Sequence, residues 1–82
     1  MIVRVKLFAV ARQRAGQDHL EVEVPTDAAT VADLRNAIVE RCPALAEVLP
    51  HMKMAVNNDY AADGTLLPAN ADVALIPPVS GG

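Results

Sequence analysis

A chain of 82 residues has room for one domain and one core. Its 52% hydrophobic content is ample for that core, but Phe8 and Tyr60 are the only aromatic residues, so Val, Leu, Ile and Ala must build it. A formal charge of −3, with seven scattered Lys and Arg residues, leaves no cluster to neutralise phosphates and argues against a nucleic-acid partner.

Residues 2–8 alternate Val3, Val5 and Leu7 with Arg4 and Lys6, the period of two of a strand with one apolar face. This opening does not have the basic start and apolar run of a secretory leader. Residues 19–24 repeat the alternation, with Leu20, Val22 and Val24 on one face and Glu21 and Glu23 on the other. Antiparallel pairing of the two strands would set Arg4 and Lys6 against Glu21 and Glu23. Such cross-strand pairs contribute from ~0.2 to ~1 kcal/mol each. The connection, residues 9–18, is too long for a tight turn and is expected to be a loop with a helical turn, closed near Gly16.

Pro25 ends the second strand. Helix signals follow: Thr30 as N-cap, Asp33 three residues on as a weaker stand-in for the Glu or Gln of a capping box, and Pro43 as a stop. Val31, Leu34, Ile38 and Cys42 recur at three- and four-residue steps and mark the buried stripe. Residues 44–50 predict a short second helical turn, stopped by Pro50. Residues 52–58 read as a third strand that runs into the turn-forming Asn57, Asn58 and Asp59. Asp63 with Gly64, and residues 66–72, are again rich in turn formers. Residues 72–76 then form a short apolar strand, after which Pro77 and Pro78 cannot continue a ladder.

The order of elements predicts an α+β fold, a β-grasp (ubiquitin-like) roll with a mixed sheet, one main helix and a short second helix. A right-handed crossover would bring the last strand parallel to the first, in the sheet centre. The near-continuous apolar run at 73–76 suits a central strand buried on both faces. Residues 1–76 would be the domain, and residues 77–82 a flexible, extended tail.

Conventional active-site constellations are missing. His19, His51 and Cys42 lack metal-ligand spacing, so the histidines read as surface residues. Cys42 on the helix stripe reads as a small buried hydrophobe rather than a nucleophile. As the lone cysteine it excludes an internal disulfide and fits a reducing, cytoplasmic compartment. No segment approaches the roughly 20 apolar residues of a membrane helix. Neither a phosphate loop nor any other cofactor-binding motif is present.

The ending is different. A terminal Gly-Gly arises by chance in about one chain in two hundred, and here it follows a strand, two prolines and a short spacer. Residues 79–82 can span roughly 13 Å, with Pro77 and Pro78 holding the base extended. Without side chains, Gly81 and Gly82 let a carboxylate enter a channel in which any Cβ would clash. The chemistry would belong to the carboxylate of Gly82. It must first be activated, for instance as an acyl-adenylate, by a partner enzyme.

The sequence resembles the small, sulfur-carrying subunit of molybdopterin synthase over nearly its full length. The resemblance runs through Leu7, Phe8 and Ala9, the helix from Thr30, Ala55, Val56 and Asn57, and most specifically the closing VALIPPVSGG at 73–82. Residues 70–72, Asn-Ala-Asp, depart from it, standing where the family often has a Gly-Asp turn. The resemblance implies a ubiquitin-like fold and a C-terminal glycine that is adenylated by an ATP-using activating enzyme. That glycine would become a thiocarboxylate, drawing on a sulfur-donor protein. The tail would enter a large subunit, as in a heterotetramer, and donate sulfur to cyclic pyranopterin monophosphate to build the dithiolene.

Carried over, Gly82 is the sulfur carrier and Gly81 the clearance residue, while Pro77, Pro78, Val79 and Ser80 guide the arm. The alternation puts Phe8 on the face opposite Val3, Val5 and Leu7, where it is either a docking anchor or a ring closing the barrel end under a loop. Rival readings are a thiamin-thiazole sulfur carrier, a protein modifier conjugated through Gly82, and an interaction module with an inert tail.

Overall fold

The computed structural model describes residues 1–25 and 28–77. Strand β1 (Ile2–Leu7) is followed by helix α1 (Ala9–Ala15) and strand β2 (His19–Glu23). Helix α2 (Val31–Arg41) crosses to two 3-10 turns, Pro43–Leu45 and Leu49–His51. Strands β3 (Lys53–Val56), β4 (Asp59–Tyr60) and β5 (Asp72–Ile76) complete a five-stranded sheet of order β2-β1-β5-β3-β4. β5 lies between β1, to which it is parallel, and β3, to which it is antiparallel. This is the mixed-sheet β-grasp expected from the order of elements.

The alternation of β1 and β2 decides their faces: Val3, Val5, Leu7, Leu20 and Val22 are buried, and their polar neighbours are exposed or half-buried. The register sets Arg4 opposite Glu21, Lys6 opposite His19, and Glu23 opposite Ile2. Among the described residues no ion pair joins the two strands; the three formed are Arg14–Glu47, His19–Asp18 and Arg35–Asp63. The expected charge pairing of Lys6 and Glu23 is therefore corrected. The connection fixes the register, since the Leu7 amide donates to the Asp18 carbonyl at 2.8 Å.

That connection is more than a loop with one turn. Residues 9–15 are rich in Ala, Arg and Gln, all good helix formers, and make a seven-residue α1 that buries Ala11. Gly16, at φ 72°, ends it in the left-handed conformation and donates to the Arg12 carbonyl.

In α2 the capping box is complete although its third residue is aspartate. The Asp33 amide donates to Thr30 Oγ1 at 3.3 Å, and the Thr30 amide donates to Asp33 Oδ2 at 2.9 Å. Val31, Leu34, Ala37 and Ile38 enter the core, and half-buried Cys42 packs against its edge, as a small hydrophobe would. Residues 43–51 form two 3-10 turns rather than one helical turn. Pro50 lies inside the second turn instead of stopping it, in an early position where a missing N–H is tolerated.

Arg35 ties these parts together. Its Nε donates to Asp63 Oδ1 at 3.0 Å, and its terminal nitrogens donate to the carbonyls of Leu49 at 2.9 Å and Met52 at 3.0 Å. Arg35→Met would keep the aliphatic stem but leave both carbonyls without this donor, at about 1–3 kcal/mol. Urea denaturation checks it; an unchanged midpoint would contradict the clamp.

The core is built from Val, Leu, Ile and Ala, as expected, with Met52 and Met54 added. Val73 and Leu75 of β5 are buried in it, whereas Ala74 and Ile76 on the opposite face are only half-buried. The expectation that β5 is buried on both faces is corrected. α2 covers one side of the sheet, and among the described residues no helix lies over the side that carries Ala74 and Ile76.

Candidate functional site

The strand registers assemble one row across that open face. Lys6 neighbours Ala74 on β5, Ala74 neighbours Ala55 on β3, and Ala55 neighbours Tyr60 on β4. Two alanines between larger residues leave a shallow groove. Phe8, Tyr60, Ile76 and Lys6 line it beside the alanines. Phe8 is 45% exposed and Tyr60 61% exposed, so among the described residues no loop covers either ring. Lys53, opposite Ile76, places its Nζ 5.2 Å from the centroid of the Tyr60 ring, within cation–π range.

Asparagines in the left-handed region build this corner. Asn57 and Asn58, at φ 51° and 72°, make the two-residue turn between β3 and β4, the conformation that a tight hairpin requires. Asn57 also prolongs the β3–β5 ladder: its amide donates to the Asp72 carbonyl, and its Oδ1 accepts from the Asp72 amide at 2.9 Å. Asn70 takes φ 57°, which asparagine tolerates as a substitute for glycine.

Of the residues singled out from sequence, the structure brings Phe8 to the groove and half-buried Pro77 directly after β5. Pro78, Val79, Ser80, Gly81 and Gly82 lie outside the described residues. Sequence reasoning missed Tyr60, Lys53, Lys6, Ala55 and Ala74 as groove residues. Their signal was the parity of β3 and β5, legible only once the register is known.

The other titratable groups do not build a reactive centre. The Asp18–His19 hydrogen bond, 2.8 Å long, holds the Asp18 carboxyl below its ordinary value. Both partners stand in solvent-accessible positions away from the groove floor. Among the described residues no three His, Cys, Asp or Glu side chains come together in a metal-binding group. No helix in them is long and apolar enough to cross a membrane.

The element order and strand pairing, with β5 central and parallel to β1, define a β-grasp domain of the ubiquitin-like class. The pattern of the ThiS family matches residues 5–82. The molybdopterin synthase sulfur carrier subunit of Caenorhabditis briggsae is 37% identical, with 98% of this chain and 96% of the relative covered. Small archaeal modifier protein 1 of Haloferax volcanii is 39% identical over 94% of this chain and 97% of its own. A crystal structure of that modifier superposes with a TM-score of 0.87, at 34% identity and full coverage of both chains. A complex of subunits 1 and 2 of the molybdopterin-converting factor of Helicobacter pylori contains a chain with a TM-score of 0.68 at 26% identity, again with both chains fully covered. The chain belongs to the ThiS family, together with the molybdopterin synthase sulfur carrier subunits that it resembles.

Proposed function

We propose that this chain is the sulfur-carrying small subunit of a molybdopterin synthase, acting in the cytoplasm through residues 77–82. The observation that carries the reading is the family match, which extends through Gly82, on a fold whose central strand leads from the groove into those residues. An activating enzyme joins the Gly82 carboxylate to AMP and releases pyrophosphate from ATP. Sulfur supplied at the sulfide level by a donor protein attacks the acyl-adenylate carbonyl, displaces AMP and leaves a thiocarboxylate. The large subunit receives the arm, and the terminal sulfur passes to cyclic pyranopterin monophosphate; water then cleaves the bond between that sulfur and the Gly82 carbonyl and returns Gly82 to a carboxylate.

In this reading the large subunit docks over the groove, with Phe8 as anchor and the assembly a heterotetramer. Pro77, Pro78, Val79 and Ser80 guide the arm, and Gly81 keeps it thin. The Helicobacter pylori complex of the two subunits supports a large partner of this kind. Gly81→Ala adds one methyl group where clearance is least and is expected to slow transfer by about a hundredfold, the effect of misplacing reacting atoms by about 1 Å. The thermal midpoint should not move. Single-turnover transfer at the wild-type rate would contradict the clearance role.

A second reading, protein modification through Gly82, is favoured by the likeness to the archaeal modifier. It shares the adenylation step and differs in the acceptor, a lysine amine in place of sulfur. Isopeptide adducts recovered from cells at the wild-type level of the chain would select it.

A further inference from the structure

Among the described residues four non-glycine positions have a clearly left-handed φ, and three are asparagines, Asn57, Asn58 and Asn70. The fourth is Ala9, at φ 51°. Asparagine tolerates this region because its short polar side chain bonds locally; alanine has no such compensation, and its Cβ crowds the following carbonyl. Such outliers persist only where surrounding structure imposes them, and they concentrate at functional positions.

The position of Ala9 explains the strain. Phe8 before it is fully extended, at φ −129° and ψ 157°, so strand geometry continues through Phe8. The Phe8 carbonyl already accepts from the amides of Ala11 at 3.2 Å and Arg12 at 3.5 Å, so the helix begins at once. Strand therefore passes into helix across one residue. Leu7 is buried on one side of the junction and Ala11 on the other, and both are anchored in the core. Between them Phe8 has no slack with which to swing its ring inward, although an apolar ring gains by burial.

We propose that the left-handed backbone at Ala9 is a positioning device that holds the Phe8 ring out at the groove, ready for the large subunit. This rests on the docking role given to Phe8 above. A longer, unstrained connection would let the ring withdraw and would blunt the anchor. Ala9 acts through Phe8 and itself touches no reacting group.

A double-mutant cycle tests this with the full chain and the cognate large subunit, read as Kd by calorimetry. Phe8→Ala is expected to weaken binding about tenfold or more, as for an interface anchor. Ala9→Val places a β-branched residue where a left-handed φ is a true outlier, and should weaken binding by a similar factor. In the Phe8→Ala background it should add less than about twofold, because residues acting as one unit are not additive. Ala9→Gly should raise the thermal midpoint by several degrees and leave Kd within about twofold.

Equal losses from Ala9→Val in both backgrounds would overturn the positioning role while leaving Phe8 as an anchor. No loss from Phe8→Ala would overturn the docking assignment, and the proposal with it. Should Ala9→Val fail to fold, Ala9→Gly still decides: an unchanged or lower midpoint would show that Ala9 is not strained and overturn the proposal.

Discussion

Removing Gly81 and Gly82 together is expected to reduce sulfur transfer to background and leave the fold untouched. The shortened arm would end at Ser80, so a hydroxymethyl side chain would stand beside the reacting carboxylate where the proposed transfer calls for glycine. The carboxylate would also fall roughly 7 Å short, at about 3.3 Å per extended residue. Each defect alone opposes the geometry that the chemistry needs, and together they leave no near-attack arrangement. Stability should not change, because among the described residues the last buried core residue is Leu75 and the paired ladder of β5 ends at Ile76. A single-turnover sulfur-transfer assay beside a thermal melt checks both halves. Retained transfer would return the tail to an inert role, and a large fall in the melting midpoint would mean that it belongs to the folded body.

The second large effect concerns Leu75. Its side chain is fully buried in the central strand, flanked by Leu7 on β1 and Met54 on β3. Leu75→Ala removes the packing atoms and leaves a cavity that neighbours on two strands cannot close, which puts the expected cost at about 3–4 kcal/mol. A domain of 82 residues has a total stability of about 4–12 kcal/mol, so the variant should be largely unfolded at the low end of that range. Partner binding should fail in parallel, because the same strand carries Ala74 and Ile76 into the groove. Urea denaturation would show it, and a loss under about 1 kcal/mol would mean that the site repacks. The contrast with the tail variants is informative: one change destroys binding through the fold, the other destroys transfer without touching it.

Much of the fold was legible because its signals are local and agree with one another. Alternation in β1 and β2 fixed which side chains point inward, Thr30 with Asp33 marked the start of α2, and the apolar run before Pro77 marked the central strand. What escaped depended on length or on register. Seven residues of α1 are too few for a helical period to declare itself, and two 3-10 turns look like one helical turn when only prolines and apolar residues are counted. Burial of β5 on both faces was inferred from its composition, but alanine at 74 is compatible with a half-buried floor, and the side of the sheet that α2 covers is a tertiary fact.

The candidate site divides in the same way. Gly81 and Gly82 stood out in sequence because their residue type is itself the signal. The groove did not, because Lys6, Ala55, Tyr60 and Ala74 come from four strands and meet only through the pairing. Phe8 was recognisable as exposed or covered but not which, since the answer lies in the backbone at Ala9.

The most direct test of the central claim is the intact mass of the purified chain after incubation with ATP, its activating enzyme and a sulfur source. The account predicts a gain equal to the replacement of one oxygen by one sulfur, mapped to the last residue and absent when Gly82 is deleted. An unchanged mass, under conditions that convert an authentic sulfur carrier, would contradict it.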